Sequence, residues 1–417
     1  MEKITIIGGK KLSGEVNISL AKNSVLPIIV ASILCPEKVI IDKAPLLEDV
    51  LVLCDLLKEL NCEVELSKDN LAINTEKLSP ASSNSNLIKK MRASFLIMGP
   101  MLARFGYCEL SSPGGCNIGS RPIDLHLKGF KSLGADIRIE HGLIVAETKK
   151  LKGNRIYLDF PSVGATENIM MASIFAEGET IIENAAEEPE IWDLANFLNK
   201  MGADIEGAGT GTVLIHGVKS LKGVTYTPIY DRIEAGTFMV AAAITNSCIV
   251  VNGVNEDHVR PLIEKLKECG VKFNKIGNSV VVDGRDTKKP IDIKTMPYPG
   301  FPTDMQPQMM SLLSVVKGSS MITETVFENR FMHVSELSRM GANLKIDGRS
   351  VFIEGVDKLT GCEVRATDLR AGAAMILAGL VADGQTDIKD IYHIDRGYVD
   401  IEKKFSLLGA DIYRKEY

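Results

Sequence analysis

The stretch Met201-Gly202-Ala203-Asp204 decides the fold, because it returns along the chain as Leu133-Gly134-Ala135-Asp136, Cys269-Gly270-Val271-Lys272, Met340-Gly341-Ala342-Asn343 and Leu408-Gly409-Ala410-Asp411. A degenerate first copy is Leu60-Asn61-Cys62-Glu63. In each copy an apolar-periodic helix runs into Gly or Asn and then into a strand. The residue just past a helix end often takes the left-handed conformation, which Gly adopts freely and Asn tolerates. From Asn61 onward the steps are 73, 68, 68, 71 and 68 residues. Spacing this regular predicts six internal repeats of one βα unit.

Each repeat holds a second helix, expected over Asn23–Leu34, Arg92–Ala103, Gly164–Ala176, Ile233–Ile244, Thr303–Val316 and Leu369–Val381. These are rich in Ala, Met and Leu on most faces, which predicts burial. The Gly-capped helices, such as Ile191–Met201 and Leu262–Cys269, are more amphipathic and belong outside. Strands are expected between them, for example at Leu143–Ala146, Val213–His216, Val280–Val282 and Val351–Glu354. Repeats close with Leu-x-Gly, as in Leu151-Lys152-Gly153, Leu221-Lys222-Gly223 and Leu359-Thr360-Gly361. The sixth repeat reaches Tyr417 without that closing piece. The chain start offers it in Ile4-Thr5-Ile6-Ile7 followed by Leu12-Ser13-Gly14, so residues 1 to about 20 are expected to pack with the last repeat. Six units could make one closed body or two bodies of three, and their spacing favours neither.

Composition narrows the class. The 417 residues are 45% hydrophobic and 24% charged, as in a soluble globular protein of two or three domains. A net charge of −6 gives no reason to expect nucleic acid or anionic lipid as a partner. The first residues lack a signal-peptide core, and apolar runs such as Ala371–Leu380 are too short to span a bilayer. The eight cysteines form no C-x-x-C pair and no cluster with His, so no metal is expected, and a reducing cytoplasmic location fits.

Candidate chemistry gathers at the starts of the buried helices. Lys22-Asn23 opens the first, Arg92 the second, Asp304 the fifth and Asp368-Leu369-Arg370 the sixth. Helix N-termini attract anions, and a basic side chain there adds charge-assisted bonds. Asp304 reads equally well as an ordinary cap. Capping does not explain Lys22 or Arg92, because a cation is unfavourable at the positive end of a helix; a bound anion would remove the conflict. The run Pro113-Gly114-Gly115-Cys116-Asn117-Ile118-Gly119-Ser120-Arg121-Pro122 reads as a long adaptable loop. Cys116, five residues before Arg121, has the setting of an exposed thiol of lowered pKa, with an inert loop cysteine as the plainer alternative. The other cysteines, at 35, 54, 62, 108, 248, 269 and 362, read as inert core thiols. Arg330, Arg370 and Arg396 are suggestive only as a set, and His126 reads as structural.

At these residues the chain resembles the UDP-N-acetylglucosamine 1-carboxyvinyltransferase family. The matching motifs are Lys22-Asn23, the run from Pro113 to Leu125, Ser162 to Thr166, Gly300 to Gln306, Thr323 to His333, Ala366 to Arg370 and Tyr392 to Tyr398. They are long, ordered and spread over essentially the whole chain. The resemblance implies a two-domain inside-out α/β barrel of the EPSP synthase-like superfamily. Each domain would have three βα repeats, with the active site in the cleft between them. Residues 22–229 would form one domain, carrying the Cys116 loop, and residues 1–21 plus 230–417 the other. The implied reaction moves the enolpyruvyl group of phosphoenolpyruvate to the 3-hydroxyl of UDP-N-acetylglucosamine, the first committed step of peptidoglycan synthesis, without a cofactor. By resemblance Lys22, Arg121 and Arg396 hold phosphoenolpyruvate, with Asn23, Arg92 and Arg370 beside it. Cys116 protonates the enol carbon, Asp304 takes the hydroxyl proton, and Asp368 assists proton transfer. Asn23, Arg92, Arg121, Pro122, Ile123, Asp124, Leu125, Ser162, Val163, Asp304 and the Val326 backbone would contact the UDP-sugar. A monomer without nucleic-acid or membrane partners is expected.

Three departures from the family pattern stand out: Leu20 in place of Gly, Glu48 where a basic residue is common, and Phe160 where Lys is often found. The last two remove positive charge and make a catalytically weak, UDP-sugar-binding regulatory paralogue the alternative reading. Joint retention of Lys22, Cys116, Asp304 and Arg396 argues against it, since a binder needs no carbon acid. The shikimate-pathway enolpyruvyl transferase is a nearer rival but lacks the Gly-Gly-Cys loop.

Overall fold

The computed structural model describes residues 2–67, 70–79, 92–111 and 123–416. They divide into two compact units, one built from residues 2–19 and 230–416 and the other from described residues between 20 and 229.

The helices alternate between buried and outer along the chain. In the 20–229 unit they are α1 (Lys22–Ala31), α2 (Glu48–Glu59), α3 (Met98–Phe105), α4 (Asp124–Ser132), α5 (Val163–Ser173) and α6 (Pro189–Met201). In the other unit they are α7 (Arg232–Ile244), α8 (Glu256–Glu268), α9 (Gln306–Leu313), α10 (His333–Arg339), α11 (Leu369–Val381), the single turn α12 (Tyr392–Asp395) and α13 (Ile401–Leu407). Every residue from Ile233 to Ile244 on α7 and from Gln306 to Leu313 on α9 is buried, as is Arg370 to Leu380 on α11. Helices apolar all round belong in a core, and these three form the centre of theirs. The outer α8 buries only Val259, Leu262, Ile263 and Leu266, a single stripe. The residues after the Gly-capped helices behave as their types require: Asn61, Gly134, Gly202, Gly270, Gly341 and Gly409 all have φ between 66° and 110°.

Each repeat forms an antiparallel set of strands, and in five of the six sheets a strand from elsewhere in the chain joins it; the sheet of Tyr107–Ser111, Leu143–Glu147 and Asp136–Glu140 has only its own three among the described residues. In the third, Glu179–Glu183 pairs with Thr212–His216, which pairs with Asp204–Glu206. Arg155–Tyr157, from the end of the second repeat, joins Glu179–Glu183 in parallel. Likewise Thr225–Tyr226 joins Val39–Asp42, Ile293–Lys294 joins Ser319–Thr323, and Glu363–Arg365 joins Gln385–Lys389. The chain start completes the other unit. Glu2–Ile7 lies between Gln385–Lys389 and Asp411–Glu416, and Glu15–Asn17 joins Cys248–Asn252 of the fourth repeat. Six separate sheets result, so the barrel that the family resemblance implies is an arrangement of repeats, and no closed barrel occurs among the described residues.

This exchange explains the Leu-x-Gly triplets. A Cβ on Gly153, Gly223 or Gly361 would stand 2.2, 2.3 and 2.3 Å from the carbonyl oxygens of Glu179, Lys38 and Gln385. Only glycine lets the lent strand lie against its host at that distance.

Candidate active site

In the 230–416 unit, the starts of α9 and α11 bring three charged side chains together. Asp304 lies in the short 3-10 turn before α9, and the position directly before that helix is Met305. Asp304 Oδ1 lies 2.9 Å from Arg330 Nη2, and its Oδ2 accepts from Arg370 Nε at 3.1 Å and Nη2 at 2.9 Å. The arginine side chains are only 3% and 4% exposed, whereas Asp304 is 27% exposed. Two guanidiniums on one partly open carboxylate form an anion-seeking surface with an acid at its centre. Arg330 Nε and Arg370 Nη1 are buried and meet no acceptor among the described residues. Arg370 lies over the Tyr398 ring and Arg330 over that of Phe327, at 5.5 and 5.4 Å.

Asp368 caps α11, accepting from the N–H groups of Arg370 at 2.8 Å and Ala371 at 3.0 Å. It interacts electrostatically with two histidines. His333 is 1% exposed, and neither ring nitrogen meets a partner among the described residues. Burial pushes its pKa down to about 4, with Asp368 pulling up and Arg330 pulling down. His393 is lowered by burial and by Arg396. Arg396 stands at the C-terminal end of α12. Val326 is held by Glu324, whose Oε1 accepts from the N–H groups of Val326 at 2.8 Å and Phe327 at 3.1 Å. The Val326 N–H is committed to that carboxylate.

The 20–229 unit supplies the other candidates. Lys22 and Asn23 are the first two residues of α1, whose start has no side-chain cap and no acid in its first turn. Pro27 carries no N–H to return to the Asn23 carbonyl. The charge conflict expected at Lys22 is met within the protein: Lys22 Nζ lies 2.9 Å from Asp49 Oδ2, with both side chains largely buried. Asp49 occupies the first turn of α2, so one carboxylate serves the positive ends of two helices. Ser162 caps α5, accepting from the Ala165 N–H at 3.4 Å, and Val163 begins that helix. Ile123 and Asp124 stand at the start of α4, where Asp124 is exposed and Leu125 half-buried. His126 is structural, as expected: its Nδ1 is 3.1 Å from Asn168 Nδ2 and its ring meets Phe95 edge-on at 5.2 Å. Arg92 opens a 3-10 turn leading into α3, but its side chain lies outside the described set. Cys116, Arg121 and Pro122 fall wholly outside the described residues.

The remaining thiols divide. Burial pushes Cys54 up to about 11 and Cys62 and Cys269 to about 12, in keeping with inert core thiols. Cys248 and Cys362 are only half-buried: Cys248 is the first residue of its strand, and Cys362 precedes Glu363–Arg365 and packs against the edge of the core. Leu20 is buried, and Glu48 and Phe160 are exposed. Sequence reasoning missed Asp49, Glu324 and His333. Asp49 carried a signal in retrospect, as an acid at the first turn of an otherwise apolar-faced helix.

A model of the EPSP synthase (3-phosphoshikimate 1-carboxyvinyltransferase) family matches residues 6–405, nearly the whole chain. The chain belongs to the EPSP synthase family. Within it, the chain is 65% identical over 416 residues to UDP-N-acetylglucosamine 1-carboxyvinyltransferase 2 of Clostridium tetani, covering 99% of this chain and 100% of that one. It is 63% identical to UDP-N-acetylglucosamine 1-carboxyvinyltransferase 1 of Clostridium acetobutylicum, with both chains fully covered. Among solved structures, the enolpyruvyl transferase NikO of Streptomyces tendae superposes with a TM-score of 0.90 at 25% identity, over 99% of each chain. EPSP synthase of Acinetobacter baumannii superposes with a TM-score of 0.77 at 19% identity, over the full length of both chains, and shares the fold.

Proposed function

We propose that this member of the EPSP synthase family transfers the enolpyruvyl group of phosphoenolpyruvate to the 3-hydroxyl of UDP-N-acetylglucosamine and releases phosphate, at the entry to peptidoglycan synthesis. The observation that carries the reading is the pair of buried arginines converging on a half-open aspartate. A donor with a carboxylate and a phosphate needs fixed cations, and a hydroxyl nucleophile needs a proton acceptor beside them. The likeness to named UDP-N-acetylglucosamine 1-carboxyvinyltransferases supports the choice of acceptor.

In this reading Lys22, Arg121 and Arg396 hold phosphoenolpyruvate, with Asn23, Arg92 and Arg370 beside it. Cys116 delivers a proton to the methylene carbon while Asp304 takes the proton of the attacking sugar hydroxyl. A C–O bond forms at the central carbon and gives a tetrahedral intermediate. The methyl group then loses a proton as the C–O bond to phosphate breaks, which restores the double bond. Asp368 assists these proton transfers. Asn23, Asp124, Leu125, Ser162, Val163 and Val326 contact the UDP-sugar, together with Arg92, Arg121, Pro122, Ile123 and Asp304. The enzyme works as a cytoplasmic monomer; no helix of the described residues is long and apolar enough to cross a membrane.

The test is phosphate release from phosphoenolpyruvate with and without UDP-N-acetylglucosamine, in wild type and Cys116→Ala. Release is expected only with the sugar nucleotide and is lost in the variant. A folded wild type that binds UDP-N-acetylglucosamine but releases no phosphate would overturn the assignment and turn attention to Glu48 and Phe160.

A further inference from the structure

Asp193 takes no part in the reaction just described, yet it is among the most thoroughly bonded carboxylates in the 20–229 unit. It lies on α6 and is 1% exposed. Its Oδ2 accepts the Ser24 hydroxyl and, at 3.1 Å, the Ile229 N–H. Its Oδ1 accepts the Tyr226 hydroxyl at 2.5 Å. Burial raises its pKa, while Ser24, Tyr226 and Ile229 stabilise the charged form. A buried carboxylate with three donors holds rigidly whatever supplies them, because a donor that leaves strands a charge in the interior.

The donors come from two places. Ser24 is the third residue of α1 and is fully buried. Tyr226 and Ile229 belong to the segment that closes the third repeat, and Ile229 accepts the Ala21 N–H on its carbonyl at 2.8 Å. Ala21 and Ser24 bracket Lys22 and Asn23. Since α1 has no side-chain cap of its own, these outside bonds set where its first turn lies.

We propose that Asp193 is a positioning residue for the donor substrate: by fixing Ser24 and the Tyr226–Ile229 segment, it sets the place of Lys22 and Asn23 at the start of α1. The inference rests on the reading that Lys22 holds phosphoenolpyruvate. A group displaced by about 1 Å from a reacting substrate can cost up to about a hundredfold in rate, so loosening this turn should register in donor use before it registers in folding.

The experiment compares Ser24→Ala, Asp193→Asn, Lys22→Arg and the double variant Lys22→Arg/Asp193→Asn in the full chain. It follows phosphate release and melting by circular dichroism. Ser24→Ala and Asp193→Asn are each expected to raise the KM for phosphoenolpyruvate about tenfold, with kcat changed less than about threefold. In the Lys22→Arg background, Asp193→Asn is expected to add less than about twofold, because both changes act through one contact. An equal tenfold loss in both backgrounds would overturn the proposal, as would a lowered melting temperature with KM unchanged. If Lys22→Arg alone leaves the KM for phosphoenolpyruvate unchanged, the proposal falls with the Lys22 assignment, and that single variant identifies the cause. Should Asp193→Asn not fold, Ser24→Ala, alone and with Lys22→Arg, carries the same comparison.

Discussion

Arg370 offers the sharpest test of the charged cluster. Replacing it by Met keeps its length and apolar stem but removes the fork that grips Asp304 at 3.1 and 2.9 Å. Hydrogen bonds to a charged group contribute about 1.5–3 kcal/mol each, and the lost stacking on Tyr398 adds about 1 kcal/mol. Three effects reduce that sum. Asp304 is 27% exposed and regains water, it keeps Arg330 at 2.9 Å, and a buried cation with an unmet Nη1 no longer has to be desolvated. The net cost should be about 2–4 kcal/mol. For a unit of roughly two hundred residues that is a fall of about 4–16 °C in its melting temperature, read by circular dichroism or calorimetry. Arg370→Lys keeps the charge without the fork and should fall between Met and wild type. Turnover should suffer to a comparable degree, by about a hundredfold in kcat/KM for phosphoenolpyruvate with Met, or about 2.7 kcal/mol. A Met variant that melts within about 2 °C of wild type and saturates normally with phosphoenolpyruvate would refute the reasoning.

Three further outcomes follow from particular residues. With its pKa at about 4, His333 should stay neutral from about pH 5 to 8, and its ring resonances should not titrate there in NMR; its share of stability is lost as pH falls from about 6.5 through 4, because the unfolded chain takes up the proton first. Glu167 is held well above 4.5 by burial and by Glu190 and Glu188, so its contribution is full below about pH 4.5 and is lost as pH rises towards the folded value; Glu167→Gln should therefore raise the melting temperature at pH 8 more than at pH 5, and equal shifts would contradict this. Gly217→Ala would set a Cβ 1.8 Å from the Ala176 carbonyl oxygen and should cost about 3 kcal/mol in urea unfolding, against about 1 kcal/mol for Gly178→Ala, which meets open space at φ +87°.

Much of the architecture was legible because it is written in local signals. The left-handed glycines, the six buried helices and the Leu-x-Gly triplets each report a backbone constraint that residue type alone reveals. The lending of strands between repeats was legible only at the chain start, where a missing strand and a spare one could be matched. The site was legible as a list of residue types and opaque as a set of partners. Asp304 read as a possible cap, and nothing local announces its meeting with Arg330 and Arg370, 26 and 66 residues away. Lys22 read as a cation awaiting an anion, because nothing in either segment says that Lys22 and Asp49 meet. His333 gave no signal, since a buried unpartnered ring is a property of the packing around it and not of its neighbours in sequence.

The placement of Glu2–Ile7 also bears on how the chain is made. Thr5 bonds Asp387, 382 residues away, and the other flank of its strand is Asp411–Glu416. During synthesis this strand is made well ahead of both its neighbours and must wait with both edges bare while the 20–229 unit is being completed. A nascent chain stalled before residue 385 would carry a finished unit tethered to an unmatched β-template, the kind of surface chaperones recognise and aggregates recruit.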